Sequence, residues 1–230
     1  VTAGVLLLPI FGKPLISLTS TEQRSVSDLV LAEVREICRF NTVEYHYKVV
    51  FPFDFDSPGV SELSILQKLK KHFGGNLETL LSAEERLWLE AVNLARRNGL
   101  KPYSPDYHFL VATINIKGGF DLEAQAPRLA VQTRNVEGRP IRTAVLSLPV
   151  PAITFVEVED PDRSTYPFPD LALSPKGWKE IAAFVRDHYV SQSLAEGLLA
   201  RARKNAHDRL RPLLIQAGYD EIEFVEQAST

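Results

Sequence analysis

Residues Thr42 to Phe53 read TVEYHYKVVFPF. Val43, Tyr45, Tyr47 and Val49 alternate there with Glu44, His46 and Lys48. A period of two, with aromatic and β-branched residues on one side, predicts a strand with one face in a core and the other in water. The residues just before it follow a different period. Over residues 27–40, Leu29, Leu31, Val34 and Ile37 fall on one helical side, Glu33, Arg35 and Glu36 on the other, and Ser25 or Ser27 can cap the start. A helix running into an aromatic strand sets the class as α+β, and the rest of the chain is read outward from it.

Downstream, residues 54–106 stand apart from both flanks. Pro58-Gly59 opens this stretch, and Lys101-Pro102 with Ser104-Pro105 closes it. Two helices are predicted inside it, one over residues 62–73 ending at Gly74-Gly75, the other over residues 82–97. Ser82 and Glu85 have the spacing of a capping box, and Asn98-Gly99 ends the second helix. Residues 55–105 therefore read as a helical hairpin inserted between two strands of one sheet. The strands resume over residues 108–116, with Leu110, Ala112, Ile114 and Ile116 on one face, and Gly118-Gly119 predicts a bend or bulge. Residues 128–133 and 141–148 predict a hairpin around Glu137-Gly138. Pro149 and Pro151 interrupt pairing and put residues 153–159 in a separate or bent strand. Residues 161–175 carry four prolines and read as an ordered surface loop. The last third is helical, with Trp178, Ile181, Ala182, Val185 and Tyr189 on one side of the first helix. Leu194, Leu198, Ala202, Ala206, Leu210 and Leu213 line the second, which Pro212 should kink or divide before Gly218 ends it. Ile222 and Phe224 close the chain in a short strand. The expected fold is a single α+β domain over residues 1–230: a mainly antiparallel sheet packed against a long C-terminal helical segment, with the helical insertion at 55–105.

Composition narrows the function classes. The 230 residues are 45% hydrophobic and 24% charged with a formal charge of -3, which excludes a disordered or collagen-like chain. Near-neutral charge argues against a general nucleic-acid binder. The one basic concentration, Arg201, Arg203, Lys204, Arg209 and Arg211, lies in a helical stretch broken by Asp208 and reads as a solvated face. The single Cys38 has no thiol partner and falls at apolar helical spacing, as a buried structural thiol does. No stretch reaches the roughly 18–20 apolar residues of a membrane span. The opening VTAGVLLLPIFGKPLISL is interrupted by Pro9, Lys13 and Pro14, and reads either as the trimmed end of an anchor or as a strand. With no methionine in the chain, residue 1 is not a translational start, and a preceding segment is expected.

The motifs that carry chemistry give little. Lys117-Gly118-Gly119-Phe120-Asp121-Leu122 has neither phosphate-loop nor dinucleotide spacing. There is no nucleophile elbow, no HExxH and no close Cys/His cluster. Among the five histidines, His46 and His108 fall in predicted strands and become neighbours if those strands pair; His72, His188 and His207 are scattered. The acidic run Glu157, Glu159, Asp160 and Asp162 lacks the ligand order and glycine of a calcium loop, and Glu157 and Glu159 alternate with Val156 and Val158 as an exposed strand face does. No metal or other cofactor is expected.

The order of segments carries more than any one motif. An amphipathic helix leads into TVEYHYKVV, then INIKGGFDL, then AVLSLPVPAITFVEVED, then ARARKNAHDRLRPLLIQAGYDEIEFVE. This resembles a bacterial family known as domain of unknown function 4230, over roughly residues 28–53 and 107–226. The matching positions are Tyr45 and Tyr47; Gly119, Asp121 and Leu122; Leu148, Pro149, Pro151 and Ile153; and Ala202, Asn205, Ala206, Leu210, Leu213, Gly218 and Tyr219. The helical insertion departs from the family's shorter connection, and Thr113 or Asn115 stands where the family often has glycine. The resemblance implies an N-terminal membrane anchor and a domain outside the cytoplasm, and it brings no catalytic residues.

Each shared position also has an architectural reading. Gly119 suits a bulge, Asp121 can accept backbone N–H bonds in a turn, and the two alanines let a helix lie close to a sheet. Asn205 stands out as a polar group placed to bond a sheet edge. Three functions follow as expectations: a non-enzymatic, membrane-tethered binding or scaffold domain with a protein or small-ligand partner; a hydrolase assembled from His46, His108, Asp121 and Glu157; or a homo-oligomer. Leu77, Leu81 and Trp88 of the insertion, with Leu80, Leu87 and Leu89, form the candidate partner surface unless they dock on the parent sheet.

Overall fold

The computed structural model describes residues 9–10, 13–14, 39–71, 80–105, 108–159 and 173–227. The fold is α+β. After the short pair β1 (Pro9–Ile10) and β2 (Lys13–Pro14) come β3 (Arg39–Phe51), a 3-10 turn (Phe53–Phe55), α1 (Glu62–Lys71) and α2 (Ala83–Arg97). The chain continues through β4 (Leu110–Asp121), β5 (Arg128–Val136), β6 (Arg139–Leu148) and β7 (Ala152–Glu159). It ends with α3 (Pro175–Ala195), α4 (Leu198–Gln216) and β8 (Glu221–Glu226). One sheet has the order β3-β4-β7, and a second has the order β5-β6-β8, with β5 antiparallel and β8 parallel to β6. Arg39 and Phe40, expected at the end of a helix, already belong to β3; the rest of that helix, with Cys38, lies outside the described residues.

The chain divides into two compact units. The first draws on residues up to Val43, Gly118–Thr154 and from Leu199 onward; the second on Glu44–Lys117 and Phe155–Leu198. In the first unit, α4 lays Ala206, Leu210 and Leu214 at four-residue spacing on Ala144, Leu146 and Leu148 of β6, which alternate as a strand face must. All six are under 5% exposed, and burying each leucine stabilises the unit by about 1.5–3 kcal/mol. Phe120 completes this core from β4 and stacks on Phe40 with ring centroids 6.2 Å apart.

Pro212 does not divide α4, which continues to Gln216; the boundary between the two C-terminal helices, expected ahead of Leu194, lies at Gly197, whose φ of +83° follows the end of α3. Gly218 (φ +86°) ends α4, with the Gly218 and Tyr219 amides donating to Ile215 and Leu214. The β5–β6 hairpin turns at Glu137 (φ 52°) and Gly138 (φ 81°), two left-handed residues in a row as a two-residue hairpin turn requires. Pro149, Val150 and Pro151 carry the chain from β6 in one sheet to β7 in the other, so the prolines do separate the two strands.

In the second unit, α2 begins on the expected capping box. Ser82 Oγ accepts from the Glu85 amide and Glu85 Oε2 accepts from the Ser82 amide. Leu81, Trp88 and Val92 form a core with Ile65 of α1. Leu81 and Trp88 are 5% and 4% exposed, so they are interior residues and not the partner surface expected of them; Leu77 lies outside the described residues. Lys68 and Glu85 join the polar margins of α1 and α2, Nζ to Oε1 at 2.6 Å. On α3, capped by Ser174, Ile181, Val185 and Tyr189 are buried.

Candidate functional site

Two hydrogen-bonded aromatic clusters stand out in the second unit. In the first, Asp56 Oδ1 accepts from Tyr103 Oη at 2.7 Å and from Trp88 Nε1 at 2.9 Å. The Asp56 carboxylate and burial together push the Tyr103 phenol up to about 12, burial contributing most. In the second, Tyr47 donates to Glu196 Oε2 at 3.0 Å and packs on Tyr189, ring centroids 4.8 Å apart. Burial, then Glu196, raises the Tyr47 phenol well above its ordinary value, and burial brings Tyr189 up to about 12. His188 packs edge-on to Phe55 and Tyr189, and its burial lowers its affinity for a proton. Groups held this way stay as neutral phenols and a neutral imidazole through the neutral range. They tie the 3-10 turn, α2 and α3 together.

The hydrolase constellation does not assemble within this unit. His46 is exposed on β3, its Nδ1 2.5 Å from Asn115 Oδ1 and its Nε2 3.4 Å from Glu44, which also pairs with Lys117 at 3.0 Å. His108 is half-buried ahead of β4, and Glu157 is exposed on β7. No hydrogen bond or ion pair joins these three among the described residues. Leu81 and, on α2, Arg86, Leu89, Glu90, Asn93, Arg96 and Arg97 line a shallow depression of about 530 Å³; Glu62 of α1 holds Arg96 by two hydrogen bonds. Among the described residues, no group of three or more His, Cys, Asp or Glu could hold a metal ion.

The first unit gathers most of the positions shared with the resembled family. Asn205 Nδ2 donates to the Thr42 carbonyl at 2.8 Å, and Thr42 Oγ1 donates to the Ala202 carbonyl at 2.7 Å. This is the sheet-edge bond expected of Asn205, since β3 is an outer strand of its sheet. The even-numbered residues of β4 stay buried from Leu110 through Phe120, and Gly119 between them is buried as well. A Cβ at Gly119 would sit 2.1 Å from the Phe40 carbonyl oxygen, so the glycine is there for a close backbone approach. On β3 the inward side does change, from Phe40 and Thr42 to the odd-numbered residues that include Tyr45 and Tyr47. Asp121 accepts the amides of Glu123 and Ala124, as expected. Sequence reasoning missed Thr42, which looked like an ordinary strand residue. It also missed Gln227, whose side chain donates to the Ala126 and Ser147 carbonyls.

The surface that sequence reasoning passed over is β5. It pairs with β6 without interruption, Arg128↔Ser147 through Val136↔Arg139, and eight of its nine residues are exposed. Among the described residues no strand pairs with its other side. RLAVQTRNV shows no clean alternation, because Leu129 alone of its residues packs against the core. Among the described residues no helix is long and apolar enough to cross a membrane. Compared with protein-family models, curated proteins and solved structures, the chain matches none.

Proposed function

We propose that this chain is a non-enzymatic binding or scaffold domain that works outside the cytoplasm, tethered to a membrane by a preceding segment. The observation that carries the binding role is β5, a nine-residue outer strand exposed at every position but Leu129. Such an edge offers a row of outward N–H and C=O groups to an added strand, and natural proteins usually shield it with proline, a bulge or lysines. β5 has an unbroken register, no proline and no lysine. The tether and compartment come from the resemblance to the family of domain of unknown function 4230. The binding role is also favoured because Asp56, Tyr103, Tyr47, Glu196 and Asn205 are all engaged in holding the fold.

The test is photo-crosslinking in cells producing the full-length protein, with the reactive residue at Val131 of β5 or at Ile215 of α4, both exposed. Adducts from Val131 and none from Ile215 are expected, in the membrane fraction. Absence of Val131 adducts, together with a hydrolytic turnover abolished by His46→Ala, would replace this reading with an enzymatic one. Recovery of the protein in the soluble fraction would remove the tether.

A further inference from the structure

We propose that the strand received by β5 is β5 of a second copy of this chain, paired antiparallel about a twofold axis at Gln132. This rests on the binding role given to β5. A symmetric interface pairs each residue with its reflection about the axis, so the fit can be read from the strand itself. With Gln132 opposite Gln132, all nine residues pair: Arg128 with Val136, Leu129 with Asn135, Ala130 with Arg134 and Val131 with Thr133. Every arginine faces an apolar residue. Moving the axis one residue back, to Val131, sets Arg128 against Arg134 at two places and leaves Asn135 and Val136 unpaired. Moving it forward to Thr133 leaves Arg128 and Leu129 unpaired. The longest pairing therefore also avoids the opposed arginines of the Val131 register, and the Thr133 register, equally free of them, gives up two residues of pairing.

Charge at the ends favours the same partner. Glu221 of its own copy already holds Arg134 at 2.5 Å, which leaves Arg128 as the cation to be matched. Glu137 at the hairpin tip follows Val136 directly, and Val136 lies opposite Arg128 of the second copy. The twofold pairing thus brings Glu137 beside the second copy's Arg128 at both ends. Apolar Val131 and Val136, 45% and 44% exposed, gain cross-strand neighbours from the same pairing. The result is one continuous six-stranded sheet.

Cysteine substitution reads the register in the full chain carrying Cys38→Ser. Two residues directly opposite in an antiparallel pair have Cα atoms about 4.5–5.5 Å apart, within disulfide range. Gln132→Cys is expected to oxidise to a covalent dimer, and Arg134→Cys, four positions out of register with itself, to remain a monomer. Light scattering of the unmodified chain should give twice its 25.8 kDa mass at high concentration. Glu137→Lys should weaken that dimer about five- to tenfold, two exposed ion pairs being lost, and Arg128→Glu added to it should restore it. A monomeric mass at every concentration, or equal oxidation of the two cysteine variants, overturns the proposal. If Val131 then still crosslinks a different protein, the binding role of β5 stands without self-pairing; if it crosslinks nothing, both fall.

Discussion

Asn205 and Thr42 clasp each other across an interface of helix and strand: the Asn205 amide donates to the Thr42 carbonyl, and the Thr42 hydroxyl donates back to the helix at Ala202. Thr42 is 3% exposed, so a lost partner leaves a buried polar group without compensation. Asn205→Ala should cost about 1–3 kcal/mol and Thr42→Val about 1 kcal/mol. Because both act at one joint, the double variant should cost less than the sum by about 0.5 kcal/mol or more. Urea denaturation of the four chains measures this, and additive losses would show that the two bonds work separately.

Gly119 and Gly138 are needed for different reasons, and alanine separates them. At Gly119 the added Cβ meets the Phe40 carbonyl, a backbone atom that cannot swing aside, so Gly119→Ala should cost about 3 kcal/mol or more. At Gly138 nothing lies within 4 Å, and only the left-handed φ of 81° is penalised. Gly138→Ala should cost about 1–2 kcal/mol. Thermal melts of the two variants should differ accordingly; equal losses would contradict the close approach.

Alkaline pH should weaken the fold. Tyr103 and Tyr189 ionise at about 12 in the folded chain against 10.0 ordinarily, so above pH 10 the unfolded chain gives up its protons first. The folded state then holds more protons, and stability falls as pH rises from 10 through 12, while below 10 the contribution is complete. Phenolate absorbance should show the delayed titration. Asp56→Asn should bring Tyr103 only part of the way back, since burial is the larger cause. A full return to 10 would assign the shift to the carboxylate.

The acid side has its own sensor. His207 stacks on Phe224 with centroids 4.1 Å apart, and burial, Arg203 and Arg211 lower its proton affinity below the ordinary 6.5. As pH falls below 6.5 the unfolded chain takes up the proton first, so this contribution to stability, present above 6.5, is lost toward acid. Proton resonances of the imidazole should titrate below 6.5 and move upward in Arg203→Gln. His207→Phe keeps a stacked ring and should flatten the acid slope of stability. An unshifted imidazole would contradict the packing.

Much of the fold was legible because its signals are local. The capping box at Ser82 and Glu85, the alternation from Leu110 to Ile116, the turn at Glu137-Gly138 and the Asp121 turn each rest on contacts a few residues apart. The helix runs on through Pro212 because proline's cost there is offset by packing of Leu210 and Leu214 on either side of it. The close approach at Gly119 was not legible, since a glycine kept for close approach looks the same in sequence as one kept for a bend. Trp88 and Leu81 were read as surplus apolar surface because the Asp56 and Tyr103 groups that complete their setting lie 32 and 15 residues away from Trp88. The exposed β5 was missed for want of any core-facing pattern, and only the ladder to β6 reveals it.

The division of the chain also fixes what an optical experiment can see. Both tryptophans, Trp88 and Trp178, belong to the second unit, and the first contains none. Tryptophan emission during unfolding therefore follows that unit alone, whereas far-ultraviolet dichroism follows the helices and strands of both. Should the first unit loosen earlier, the dichroism curve would begin to fall while emission held steady. A tryptophan placed at Phe224, beside His207, would give the silent unit a signal of its own.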